Sequence, residues 1–179
     1  MRVFVAVEIT NTGVIKSIEE FQFQMNIDAK SVEPKNFHFT LQFLGEISDD
    51  VSKKTILALR KIEFSNFKVN LRGVGAFPKP KFPRVVWIGT DNDGGNRLVA
   101  LSKEVGKILE PLGFHQDKPF KPHMTVFRIK KKIGDITEEL EKQKALNFGI
   151  QEVNSIKLKK SELTPNGPIY SDLEVITAR

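Results

Sequence analysis

The hydrophobic period of this chain switches from two to about 3.6 and back in a set order, and that order runs through the sequence twice. In "RVFVAVEI", Val3, Val5, Val7 and Ile9 alternate with Phe4, Ala6 and Glu8. Both faces are mostly apolar, as in a central strand. Asn11 and Thr12 then offer an N-cap, and Val14, Ile18, Phe21 and Met25 fall at helical spacing. A strand, "FHFTLQFLG", follows. Ser48 with Asp49 and Asp50 opens a second helix, with acidic residues where the helix dipole favours them and Val51, Leu59 and Ile62 inward. Phe67, Val69 and Leu71 alternate with Lys68, Asn70 and Arg72 in a strand with one wet face.

The stretch "FPKPKFPR", Phe77 to Arg84, breaks regular structure, because its prolines lack the amide hydrogen and fix the backbone. The order then restarts. "VVWIGT" reads as a strand, and Asp91 or Asp93 caps a helix carrying Leu98, Leu101, Val105, Ile108 and Leu112, ended by Gly113. A strand in "PHMTVFR" comes next. Asp135 and Glu138 have capping-box spacing before a short helix with Ile136 and Leu140. Ile156 and Leu158 alternate with Lys157 and Lys159 in a further strand, and "IYSDLEVI" closes the chain. Each half therefore reads strand, helix, strand, helix, strand, a repeat of architecture rather than of sequence. A single domain of two lobes, residues 1–179, is expected. Halves related by a pseudo-two-fold axis would place their equivalent strands across a shared groove.

Both equivalent strands carry His-x-Thr, and two of the three histidines in the chain are used this way. Strand side chains alternate faces, so His38 and Thr40 share one face while Phe37, Phe39 and Leu41 anchor the other. His123 and Thr125 repeat the pattern, with Met124 and Val126 behind. An imidazole titrates near neutrality, so one can abstract a proton while the other donates one, and the hydroxyls can bond non-bridging phosphate oxygens. That pairing suits displacement at a phosphodiester. His115, in "GFHQDK", has no such context and reads as a loop residue.

Composition narrows the field further. With no cysteines, a disulfide framework, a thiolate metal site and a cysteine nucleophile are excluded, and a reducing cytoplasmic setting is expected. The opening residues turn acidic at Glu8, too soon for a secretory or membrane-spanning segment. A net charge of +6 favours an anionic partner such as RNA or a phosphorylated metabolite. No Gly-rich loop followed by Lys and Ser or Thr supports a nucleoside triphosphate site.

The motifs "RVFVAV", "HFTLQFLGE", "PRVVWIG", "FKPHMTVFR" and "LKKSELTPNGPIY" together resemble the two-histidine phosphoesterase superfamily, over nearly the whole chain. Within it they are similar to the bacterial and archaeal 2′-5′ RNA ligase family, also described as RNA 2′,3′-cyclic phosphodiesterases. The resemblance implies a bilobal α+β fold with antiparallel sheets flanking a positively charged cleft. It implies hydrolysis of terminal RNA 2′,3′-cyclic phosphates to 2′-phosphates without cofactor or metal, by a monomer acting on RNA ends, tRNA fragments or small nucleotides. Carried over by position, His38 is the proton donor and His123 the proton acceptor, while Thr40 and Thr125 hold the phosphate. The pseudo-symmetry itself does not order the two histidines.

Arg128 matches the arginine that follows the second family motif. Simple alternation gives it the opposite parity to His123 and Thr125, so it reaches the cleft only if the strand twists, bulges or ends near Phe127. Lys79, Lys81, Arg84, Lys118 and Lys121 are candidates to guide an RNA backbone, and Phe82 and Tyr170 to stack on a base. Two alternatives stand beside hydrolysis. One is 2′-5′ ligation at the same site, and the other is an RNA- or nucleotide-binding module whose histidines are structural.

Overall fold

The computed structural model describes all of residues 1–179. Nine strands and four helices follow one another as β1 (Arg2–Glu8), α1 (Thr12–Gln24), β2 (Lys30–Ser31), β3 (His38–Glu46), α2 (Asp49–Leu59), β4 (Phe67–Phe77), β5 (Val85–Thr90), α3 (Asn92–Leu109), β6 (Met124–Arg128), α4 (Thr137–Lys142), β7 (Asn147–Val153), β8 (Ser155–Thr164) and β9 (Gly167–Thr177). They form two sheets, one in the order β3-β1-β8-β9 and the other β2-β6-β5-β4-β7. Every strand pairing is antiparallel. The fold is the α+β arrangement of duplicated units expected from the sequence.

The two sheets, however, are not the two halves of the chain. Each His-x-Thr strand pairs with the first strand of its own half, β3 with β1 and β6 with β5. The strand that ends each half then leaves: β4 joins β5 in the second sheet, and β8 joins β1 in the first. Two further strands, β9 and β7, complete the corresponding outer edges, and the two-residue β2 adds an edge beside β6. The alternation of hydrophobic residues could not foresee this exchange, because it marks a strand's faces and not its neighbours.

Local sequence explains the helices. Asn11, Ser48 and Asp91 accept hydrogen bonds from Val14, Val51 and Gly94 amides, satisfying donors that the first helical turn leaves free. Val14, Ile18 and Phe21 are buried along α1, and Leu98, Leu101, Val105 and Leu109 along α3. The inward face of α2 differs from the expected one: Ser52 and Thr55 are buried with Leu59, Val51 is half-buried, and Thr55 Oγ1 donates to the Val51 carbonyl. In α4 the helix begins at Thr137, and Asp135 accepts from both the amide and the hydroxyl of that residue. Gly113 ends the turn after α3 with φ of 92°, a backbone conformation that favours glycine.

One contiguous apolar core joins both sheets. It takes Val3, Val5 and Val7 from β1, Phe39 and Leu41 from β3, Val86 and Ile88 from β5, Met124 and Val126 from β6, and Ile156 and Leu158 from β8. No helix is long and apolar enough to cross a membrane.

Candidate functional site

Both histidines sit where a strand begins. His38 is the first residue of β3, and His123 immediately precedes β6. Each returns its Nδ1 to the carbonyl two residues earlier, His38 to Asn36 at 2.7 Å and His123 to Lys121 at 2.6 Å. A carbonyl only accepts, so Nδ1 carries the proton and Nε2 of the neutral ring holds the lone pair. His38 Nε2 lies 2.9 Å from Thr40 Oγ1, which shows that the expected sharing of one face brings imidazole and hydroxyl into direct contact.

The correspondence continues three residues beyond each histidine. In β3 the register passes from Thr40 opposite Ala6 to Gln42 opposite Val5, leaving Leu41 as an extra residue. In β6 it passes from Thr125 opposite Trp87 to Phe127 opposite Val86, leaving Val126 extra. Both are β-bulges at the same station of the motif. The bulged carbonyls are captured from the helices: Ser102 of α3 donates to Leu41 O at 2.9 Å, and Gln22 of α1 donates to Val126 O at 3.0 Å. The Val32 amide also donates to Val126 O.

This bulge resolves the parity of Arg128. Val126 and Phe127 are both buried, so alternation restarts one residue late and Arg128 emerges on the face that carries Thr125. Its guanidinium comes within reach of the Tyr170 hydroxyl, and its charge acts on His38. Arg128 therefore brings the second sheet to the His38 side of the first, where β3 and β6 also touch.

The rings that frame each imidazole differ. His38 packs on Phe4 at 5.1 Å and edge-on against Tyr170 at 5.5 Å, and these two rings meet at 5.0 Å. His123 packs on Phe77 at 5.0 Å and faces Trp87 at 6.5 Å. Burial of the His38 ring pulls its pKa down to about 4, opposed by the Asn36 carbonyl and Glu8 and assisted by the positive charges of Lys159 and Arg128. In the free protein at neutral pH, His38 is uncharged. Burial also pushes the Tyr170 phenol up, with Arg128 and Lys159 opposing.

Lys159 belongs to a closed ionic square that sequence reading missed. Lys157 bonds Glu8 at 2.8 Å and Asp172 at 2.7 Å, while Lys159 bonds Asp172 at 2.8 Å and also Glu8. The Lys159 side chain is only 6% exposed. Glu8 faces the same way as Phe4 and Ala6 and lies opposite His38 in register, so the square stands on the cleft face beside the imidazole. Glu8, the lone acid of the first strand, was its one visible signal. Neither the pairing with β8 nor that with β9 can be read from local sequence.

Other expected contacts divide. Tyr170 lies at His38, as above. Phe82, by contrast, carries the Lys79 ammonium 5.2 Å over its ring in the proline-rich loop. Lys118 and Lys121 are exposed in the segment leading to β6, and Lys130, Lys131 and Lys132 are exposed beyond it. No three His, Cys, Asp or Glu side chains converge on one point in metal-binding geometry.

Comparison with known proteins matches this arrangement. Residues 2–177 fit the model of the AKAP7 2′5′ RNA ligase-like domain. The RNA 2′,3′-cyclic phosphodiesterase of Archaeoglobus fulgidus is 41% identical over 177 residues, which span 98% of this chain and 99% of that protein. Its namesake in Methanocaldococcus jannaschii is 40% identical over 176 residues, 95% of this chain and 96% of that one. Among solved structures, TT0787 of Thermus thermophilus superposes with a TM-score of 0.80 at 29% identity, covering 100% of this chain and 98% of its own. Escherichia coli LigT complexed with 3′-AMP also reaches 0.80, at 22% identity over 99% and 97%, and shares the fold. With matched bulges, matched histidine bonds and relatives of this closeness, the chain belongs to the 2′-5′ RNA ligase family of two-histidine phosphoesterases.

Proposed function

We infer that the protein hydrolyses a terminal RNA 2′,3′-cyclic phosphate to a 2′-phosphate, with residues 1–179 acting as one domain of two lobes and as a monomer. The observation that carries this reading is the duplicated imidazole setting, in which each Nδ1 proton is fixed on a carbonyl and each Nε2 is turned away from it, that of His38 beside the Thr40 hydroxyl, as proton transfer requires. The activity is the one borne in name by relatives about 40% identical over most of the chain. RNA ends, including tRNA fragments, and small nucleotides are the substrate class, in the cytoplasm.

In this mechanism His123 Nε2 takes a proton from water as the water oxygen attacks phosphorus. The bond from phosphorus to the ribose 3′-oxygen breaks, and His38 Nε2 supplies the proton that this oxygen needs to leave. Thr40 and Thr125 hydroxyls bond the non-bridging oxygens, and the Arg128 guanidinium balances their charge. Because His38 is neutral in the free protein, its role as donor relies on the substrate: an anionic phosphate beside Nε2 favours the charged ring. An RNA bearing a 2′,3′-cyclic phosphate should yield a 2′-phosphate, read by mass and phosphorus NMR. Salt-sensitive binding with an unaltered terminus would instead identify a binding module. Adding an RNA with a 5′-hydroxyl measures ligation in the same assay.

Two further outcomes are expected. When the 3′ bridging oxygen of the cyclic phosphate is replaced by sulfur, the leaving thiolate needs no proton. His38→Ala should then recover to within about tenfold of wild type while His123→Ala stays slow. The reverse pattern would exchange the two roles. Arg128→Ala should lower kcat by about 10- to 100-fold, and Arg128→Lys should restore only part, because a point charge cannot reproduce the planar fork. Unchanged kcat in Arg128→Ala would remove the guanidinium from the phosphate site.

A further inference from the structure

The two histidines share their backbone setting but not their surroundings. Thr40 lies opposite Ala6 and Thr125 opposite Trp87, so Ala6 and Trp87 hold equivalent places on β1 and β5. The next strand in each sheet sets Lys157 of β8 beside Ala6 and Gly75 of β4 beside Trp87. Two residues along, Lys159 stands opposite Phe4, and Phe77 opposite Val85. Glu8, opposite His38, is matched by Gly89, two residues past Trp87. Three ionic residues in one half thus have Gly75, Phe77 and Gly89 as counterparts in the other.

On the His123 side the space is filled by rings. The Trp87 indole lies on the two glycines, where a Cβ would come within 2.2 Å of it at Gly75 and 3.3 Å at Gly89. His123 packs on Phe77, the ring that stands in the place of Lys159. The His38 side gathers charged and titratable groups instead: Glu8 from β1, Lys157 and Lys159 from β8, Tyr170 and Asp172 from β9, and Arg128 from β6. The Lys159 ammonium is bonded to two carboxylates and its side chain is 6% exposed, so it reaches a substrate only by way of His38. Fixed there, it opposes a positive charge on the imidazole, whereas Glu8 favours one.

We propose that the ionic square is what makes His38 the proton donor, with Lys159 and Glu8 as opposed positioning residues. The ammonium drives the imidazolium to give up its proton to the departing 3′-oxygen, and the carboxylate holds that proton on the ring until the phosphorus–oxygen bond breaks. One proton enters His38 from solvent as the anionic phosphate binds, and it leaves on the ribose 3′-oxygen, so the ring ends neutral. The proposal rests on reading the histidine pair as an RNA-end hydrolase. It supplies the asymmetry that the duplicated scaffold lacks.

The test is the pH dependence of kcat for the ordinary cyclic phosphate and for the analogue with sulfur at the 3′ bridging position. Sulfur leaves without a proton, so the limb of the profile that it abolishes belongs to the donor. Lys159→Met keeps the stem without its charge and should move that limb up by about one pH unit. Glu8→Gln should move it down by about as much, and the other limb should stay in place in both variants. Opposite directions separate an electrostatic effect on His38 from damage to the sheet, which would move both variants alike. Should Lys159→Met fail to fold, the downward movement in Glu8→Gln decides. A donor limb that stays still, or moves the same way in both variants, overturns the proposal and leaves the hydrolase reading standing. Absence of turnover of either substrate by wild type overturns that reading itself.

Discussion

His38→Ala and His123→Ala are each expected to lower turnover of an RNA 2′,3′-cyclic phosphate by about 10²- to 10⁴-fold, the usual loss when a positioned acid or base is removed. Neither change should unfold the protein. The strands that carry these residues are anchored by the opposite face, where Phe37, Phe39 and Met124 are fully buried. The bulge carbonyls are also held from α1 and α3, independently of either imidazole. His38→Ala does remove a ring packed on Phe4 and Tyr170. His38→Gln fills most of that space without an acid or base, and it should show the same kinetic loss with a smaller change in thermal midpoint. Near-normal turnover in either alanine variant, with circular dichroism unchanged, would leave the two-histidine mechanism without support.

The second large effect concerns stability. Lys159→Ala should cost about 2–4 kcal/mol in urea unfolding at pH 7, because it leaves Glu8 and Asp172 sharing the single ammonium of Lys157. The estimate sits at the lower end for broken buried pairs because Asp172 is 37% exposed and water screens part of the loss. The pH dependence has a definite sign. Burial alone would raise both carboxyls, but hydrogen bonds and charge from the two lysines outweigh it, and Glu8 and Asp172 lie below their ordinary values. A depressed carboxyl contributes stability above its unfolded pKa and loses it as pH falls through the folded one. The deficit of Lys159→Ala should therefore be full at pH 7 and shrink below about pH 4, as both acids protonate in wild type too. A deficit independent of pH would mean that the lost lysine stem, rather than the ion pairs, held the sheet together.

Much of this molecule could be read from sequence where a side chain's setting is decided by its immediate neighbours. Alternation around Val3 to Ile9 and Phe37 to Leu41 identified β1 and β3, and helical spacing from Val14 to Met25 and from Leu98 to Val105 marked the faces that are buried. The parallel stations of His38 and His123 followed from the order of periods alone. What escaped depended on a partner strand. A bulge is an extra residue only relative to its neighbour, so Leu41 and Val126 look ordinary until Ala6 and Trp87 are placed opposite Thr40 and Thr125. The ionic square needs three strands side by side. The strand β7 was missed because its alternation, from Phe148 to Val153, is interrupted by Gly149 at a φ of 112°.

Exchange of β4 and β8 between the halves also sets the order in which the molecule can be completed as it leaves the ribosome. Residue Val5 of the first sheet waits for Leu158, and the edge of β1 facing β8 has no partner until all the strands of the second sheet have been made. Such distant pairings slow folding, because the loop between them must close before the contact is gained. The second sheet has no such delay between β4 and β5, which the proline-rich turn joins directly. The sheet bearing His123 can therefore assemble while its counterpart is still open. His38 gains its neighbours Tyr170 and Lys159 only when β8 and β9 arrive, so the cleft is finished only after every strand of the other sheet has been made.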